Sequence, residues 1–91
     1  MKNEFKTLNI EVYKCPECEQ EIYSRAQHDF ISCDCGRTSL DGGHLNDDTW
    51  IPERLIGLAI EAKRRILTLD ITSRHLYDDW NNSIDDFGKV K

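Results

Sequence analysis

Cys15-Pro16-Glu17-Cys18 and Cys33-Asp34-Cys35-Gly36 are the two stretches on which the reading of this sequence turns. Four thiols fall in two close pairs, and the fourteen residues from Glu19 to Ser32 between them let the chain run out and return. A Cys-x-x-Cys turn places two sulfurs on one ion while its backbone amides donate hydrogen bonds to the thiolates. Pro16 fixes φ and gives up an amide proton, which leaves Glu17, Cys18 and Glu19 as donors. The second pair has a single residue between its sulfurs, so its turn is tighter, and Gly36 lets the chain leave in a left-handed conformation. Together the pairs predict one tetrahedral zinc site made by Cys15, Cys18, Cys33 and Cys35. Because Cys33-x-Cys35 leaves less freedom for tetrahedral geometry, His28 or His44 stands as an alternative to one sulfur, and iron in a rubredoxin-like site is the alternative metal. Without a metal, the same cysteines would be buried small apolar residues or a redox pair. A site closed by four thiolates has no open position for substrate or water, so its expected role is to hold the fold.

The segments around the cysteines carry short strand patterns. Residues 8–14, Leu-Asn-Ile-Glu-Val-Tyr-Lys, largely alternate apolar and polar side chains and run into Cys15. Residues 21–24 and 28–32 are further strand candidates, the latter running into Cys33, and 37–40 are a fourth, closed by Asp41-Gly42-Gly43. From Thr49 the period changes. Leu55, Ala59, Ala62, Ile66 and Leu69 recur at helical spacing, with Pro52 in a first turn and Lys63-Arg64-Arg65 toward the end, which predicts a helix of about four to five turns. A shorter helix is expected from Thr72 or Ser73, carrying Leu76, Tyr77 and Trp80 and ending at Asn81-Asn82-Ser83. The expected fold class is therefore α+β. Small zinc-ribbon-like β-hairpins over 8–44 precede one long and one short C-terminal helix over 50–82, and a loose tail over 84–91 completes a single domain of 91 residues.

Composition limits the functional classes. A chain of this size buries a modest fraction of its surface and gains from a staple such as a metal. Its start lacks a secretory pattern and no stretch is long enough to span a bilayer, so the cytoplasm is the expected compartment, where thiols stay reduced and available to a metal. Formal net charge is −5, and residues 1–50 carry ten acids against five bases, which disfavours a polyanion partner. Lys63-Arg64-Arg65 is the one basic cluster, read as a solvated face. His28-Asp29 suggests a general base, but neighbours on a strand point to opposite faces. His28, His44 and Asn46 could alternatively belong to a His-dependent metal nuclease of the His-Asn-His type, though no helix bearing its last ligand is evident. His75 is read as a surface or helix contact.

Over residues 13–43, about a third of the chain, the pattern resembles a group of short zinc-ribbon proteins found in bacteriophages and prophages. The residues that carry it are Lys14-Cys15-Pro16-Glu17-Cys18, Ile22, Ser24, His28-Asp29-Phe30, Cys33-Asp34-Cys35-Gly36 and Asp41-Gly42-Gly43. The resemblance implies a small metal-bound fold and no activity. The functional expectation is a non-enzymatic protein-interaction module, a phage modulator of a host protein, with self-association through the apolar face of the long helix as a related option. The alternatives are a nucleic-acid-binding zinc ribbon and the nuclease.

Overall fold

The structure is a computed structural model that describes residues 7–90. Its centre is β1 (Leu8–Lys14), whose alternating pattern behaves as the sequence suggests. Leu8, Ile10 and Val12 enter one apolar cluster with Tyr23 and Leu76, while Tyr13, followed by Cys15, enters a second with Ile22, Ile31, Cys33 and Leu40. A strand that buries Leu8, Ile10 and Val12 on one face and Tyr13 on the other needs partners on both edges, because an unpaired amide or carbonyl beside a core is costly. One edge of β1 takes β8 (Lys63–Leu69) antiparallel along all seven residues, from Leu8 opposite Leu69 to Lys14 opposite Lys63. The other edge is shared. β6 (Thr49–Ile51) runs parallel beside Asn9 and Ile10, and β2 (Glu21–Ile22) runs antiparallel beside Tyr13 and Lys14. β5 (His44–Asn46) folds back on β6 through Asp47, which adopts φ 60°.

A smaller antiparallel sheet orders β3 (Phe30–Ser32), β4 (Thr38–Asp41) and β7 (Arg54–Gly57). Its inner face carries Ile31, Leu40 and Leu55 onto the cluster that holds Cys15 and Cys33. The one α-helix among the described residues, α1 (Ser73–Asn81), lies where the short helix is expected and buries Leu76 and Asp79. At its start the Thr72 amide donates to His75 Nδ1 at 3.0 Å.

The long helix over the fifties and sixties is not formed, and the fold is mostly β rather than β-hairpins followed by two helices. The segment instead makes β6, β7, a short 3-10 turn (Leu58–Glu61) and β8. The residues at helical spacing do not share a face. Leu55, Ala59 and Ala62 sit in the cysteine-side cluster, Leu69 packs on the other, and Ile66 is 51% exposed. Two local facts oppose a helix there. Gly57 has φ +66°, and a Cβ at that position would meet the Arg37 carbonyl oxygen at 2.4 Å. Thr49, Ile51, Ile56, Ile60, Ile66 and Thr68 are β-branched, which lowers helical preference and favours the pleat. The decisive term is tertiary, since without β8 one edge of the buried β1 would have no partner along its length.

The segment expected to be a loose tail is bonded to β2. Tyr23 N–H donates to Gly88 O at 2.8 Å and Val90 N–H to Glu21 O at 2.9 Å. Lys91 lies outside the described residues.

Candidate metal centre

Both cysteine pairs stand where a strand ends and a tight turn begins. Cys15 follows β1 and Cys33 follows β3, and each donates its amide to the carbonyl five residues on: Cys15 to Gln20 at 2.9 Å and Cys33 to Thr38 at 2.9 Å. The two turns are therefore closed in the same way, although one has two residues between its sulfurs and the other has one. In the first, the Glu17 and Cys18 amides donate to Cys15 Sγ at 3.3 and 3.5 Å, while the Glu19 amide goes to the Cys15 carbonyl at 2.9 Å. In the second, Gly36 takes φ +79° and its amide reaches the Cys33 carbonyl at 3.0 Å.

These turns bring the four sulfurs of Cys15, Cys18, Cys33 and Cys35 to within 4.8 Å of one another. Cys15 Sγ lies 3.6 Å from Cys35 Sγ, and Cys33 Sγ lies 3.4 Å from Cys35 Sγ. Zinc–sulfur bonds of about 2.3 Å in a tetrahedron need sulfurs roughly 3.8 Å apart, so the spacing suits a metal ion. Disulfides are not formed, and all four thiols are free. Cys15 and Cys33 are buried, whereas Cys18 and Cys35 are exposed. The cluster is thus the outer end of one apolar core, with the inner sulfurs packed among Tyr13, Ile22, Ile31, Leu40 and Ala59.

The electrostatics suit thiolates. Burial pushes the Cys15 thiol up, but the Thr38 hydroxyl, the Cys18 and Glu17 amides and the Cys35 thiol outweigh it and bring the pKa down to about 6. The Thr38 hydroxyl is buried and has no oxygen or nitrogen partner, so a thiolate on Cys15 supplies the acceptor that it lacks. Cys33 is also lowered: burial raises it, while its Thr38 and Cys35 contacts lower it. Cys35 goes the other way. The Arg37 amide favours its thiolate, but desolvation and the three neighbouring sulfurs push it up to about 12. Four thiols this close cannot all ionise unaided, and a divalent cation removes that repulsion. The residues present fit such an ion.

The histidines lie elsewhere. His28 is exposed in the turn before β3, and His44 in β5 has its Nδ1 3.1 Å from Glu53 Oε1. Neither joins the group of ligand atoms. Asp29 does not orient His28. Its carboxylate accepts from the Arg25 amide at 3.0 Å, from Nε at 2.9 Å and from Nη2 at 3.3 Å.

Arg25 is the residue that sequence reasoning missed. Beyond Asp29, its Nη1 lies 2.9 Å from buried Asp79 and 3.0 Å from Asp85. Asp79 also accepts from the amides of Asp86 and Phe87 at 2.8 and 3.1 Å. One guanidinium so ties the loop after β2 to α1 and to the last segment. Burial opposes its charge, but the three carboxylates hold it protonated, and the Asp79 carboxyl is lowered because the Asp86 amide, Arg25 and the Phe87 amide outweigh its burial. The only sequence signal is Asp29 four residues after Arg25, and nothing local points to Asp79.

Fold and site together define a β-rich protein organised on two cysteine turns, with four cysteines positioned to coordinate a metal ion. The family model that matches the chain is a domain of unknown function, DUF7695, over residues 9–46. That span holds β1 from Asn9 on, β2 to β5 and all four cysteines, and it leaves out β6 to β8 and α1. No curated protein and no solved structure matches the chain.

Proposed function

We propose that the chain is a zinc-binding, non-enzymatic protein-interaction module that works in the cytoplasm, with a host protein as partner if it is phage-encoded. The observation that carries the zinc reading is the convergence of four sulfurs within 4.8 Å of one another. Zinc held there would neutralise the thiolates and fix the two turns, and four protein ligands leave no coordination position for chemistry. The non-enzymatic reading is supported by the use of Asp29 on Arg25 and the separation of His28 and His44 from the thiolates. The phage setting rests on the sequence resemblance alone. The cytoplasmic reading rests on the reduced thiols such a site needs, and no helix among the described residues is long and apolar enough to cross a membrane.

Native mass spectrometry of the chain purified without added metal tests the first part, with the mass of one zinc ion per chain as the expected result. Iron absorption in the visible range would replace zinc by iron. Chemical cross-linking in host lysate, with chelator-treated chain as control, tests the second, and a partner that binds only the metal-loaded form is expected.

One observation favours the nucleic-acid alternative. Lys14 and Lys63 stand directly opposite each other on β1 and β8, Arg64 lies over the Tyr13 ring at 5.0 Å, and none of the three has a carboxylate partner within 4.0 Å among the described residues. Glu19 and Glu61 line the same region, and net charge opposes the reading. Salt-dependent retention of an oligonucleotide that is lost in Lys63→Glu would revive it.

A further inference from the structure

Both tryptophans of the chain line one groove. Trp50 from β6 and Trp80 from α1 face a space of about 470 Å³ together with Tyr77, and His28, Gln27 and Arg74 stand at its rim. The Tyr77 and Trp80 rings are 5.7 Å apart and tilted by 53°. Trp50 is fixed, because its Nε1 donates to the Ser24 carbonyl at 2.9 Å. The loop after β2, which holds Trp50 through the Ser24 carbonyl and lines the groove with buried Arg25, is tied to α1 because Arg25 meets both Asp29 of the loop and Asp79 of the helix. Rigid aromatic surfaces already held in place lose little entropy on binding, and Trp, Tyr and Arg dominate the energetics of protein contacts.

The charge of the groove narrows its occupant. The chain carries 17 acidic residues, yet no carboxylate among the described residues lines this space. The nearby carboxylates of Asp29, Asp79 and Asp85 are taken up by Arg25, whereas Arg74 at the rim has an 81% exposed side chain whose ion pair with Asp78, at 3.6 Å and open to solvent on both sides, is weak enough for an incoming carboxylate to replace. One accessible cation beside three aromatic rings matches one negative group next to an apolar one. It does not match a run of phosphates, which would recruit several cations and would meet a net charge of −5. A space of this volume takes a few residues of extended chain.

We infer that this groove binds an extended peptide segment of the partner in which an apolar side chain stands next to a carboxylate, the apolar group on Trp50, Tyr77 and Trp80 and the carboxylate on Arg74. The inference rests on the interaction-module reading and gives that module its contact face. It places that face on the side built by β6, α1 and the loop after β2, with Trp50, Arg74, Tyr77 and Trp80 all beyond the span that the family model covers.

The test is selection of a random heptapeptide display library on the metal-loaded full chain, followed by titration of synthetic winners against tryptophan fluorescence. Enriched peptides should carry Asp or Glu within two positions of Pro, Leu or an aromatic residue. Arg74→Glu and Tyr77→Ala, both at exposed side chains, should each weaken binding about tenfold with unchanged circular dichroism. Selection on the Arg74→Glu chain should exchange the acidic residue for Lys or Arg. Absence of enrichment, winners without an acidic residue, or tighter binding of an oligothymidylate than of any peptide would overturn the inference. Winners that bind both variants unchanged would overturn the groove while leaving the interaction-module reading standing, because that reading fails only when cross-linking finds no partner.

Discussion

The cysteine cluster and the Arg25 hub do the same mechanical work with opposite chemistry. Each gathers segments distant in sequence at the rim of an apolar cluster, the first beside Ile22, Ile31 and Leu40, the second beside Leu76 and Tyr23. The cluster brings four groups of one sign together and needs a cation from outside. The hub surrounds its own cation with Asp29, Asp79 and Asp85 and is complete within the chain. One staple is conditional on metal and the other is not, so removing the metal should separate the two halves of the molecule in stability.

The largest effect is therefore expected from metal removal. Zinc in small structural sites contributes about 10 kcal/mol or more, as much as the whole stability of many domains, so a chelator should unfold the cysteine turns and the sheet of β3, β4 and β7 under reducing conditions before the Arg25 hub and α1 give way. Hydrogen exchange would show β3 and β4 losing protection first, with α1 last. Full protection of β3 and β4 in metal-free, reduced protein would remove the staple role from the cysteines.

Breaking the hub comes next. Asp79→Asn leaves Arg25 with a weakened buried partner, and loss of one member of a buried ion pair costs about 3 kcal/mol. The expected readout is a lower denaturation midpoint at unchanged zinc content, which is the sharpest contrast with the first experiment. Acid separates the two as well. Asp79 is lowered in the folded chain, so its contribution is full above the ordinary carboxylate range near pH 4 and is lost as pH falls through its depressed value. Thiolates compete with protons at higher pH than carboxylates, so an acid titration should release zinc before the hub fails. A single transition for metal release and loss of α1 would mean that the two staples are one cooperative unit.

The same contrast explains what the amino-acid sequence reveals and what it hides. The cysteine turns are local, closed by amides within five residues, and the strands beside them alternate visibly, so β1, β2, β3, β4 and the meeting of the sulfurs are legible in the residues themselves. The short helix is legible for the same reason, with Thr72 ahead of it and Leu76 and Trp80 on one side. The hub is not, because Arg25 and Asp79 are joined by tertiary structure alone. The segment from Thr49 misleads because an apolar spacing that suits a helix also suits strands that divide their side chains between two cores. Ala59 and Ala62 face one core and Leu67 and Leu69 the other. A pattern summed over one axis cannot show that division, and the demand of β1 for a partner along its second edge is not written in the residues that answer it.

The smallest prediction tests that last point. If tertiary pairing and the Gly57 conformation hold the segment extended, Gly57→Ala should cost about 2 kcal/mol, from the strained left-handed φ and from the contact that a Cβ makes with the Arg37 carbonyl. If helical preference were the governing term, the same change would stabilise the chain, since alanine favours a helix over glycine by about 1 kcal/mol. The sign of the change in denaturation midpoint decides between them.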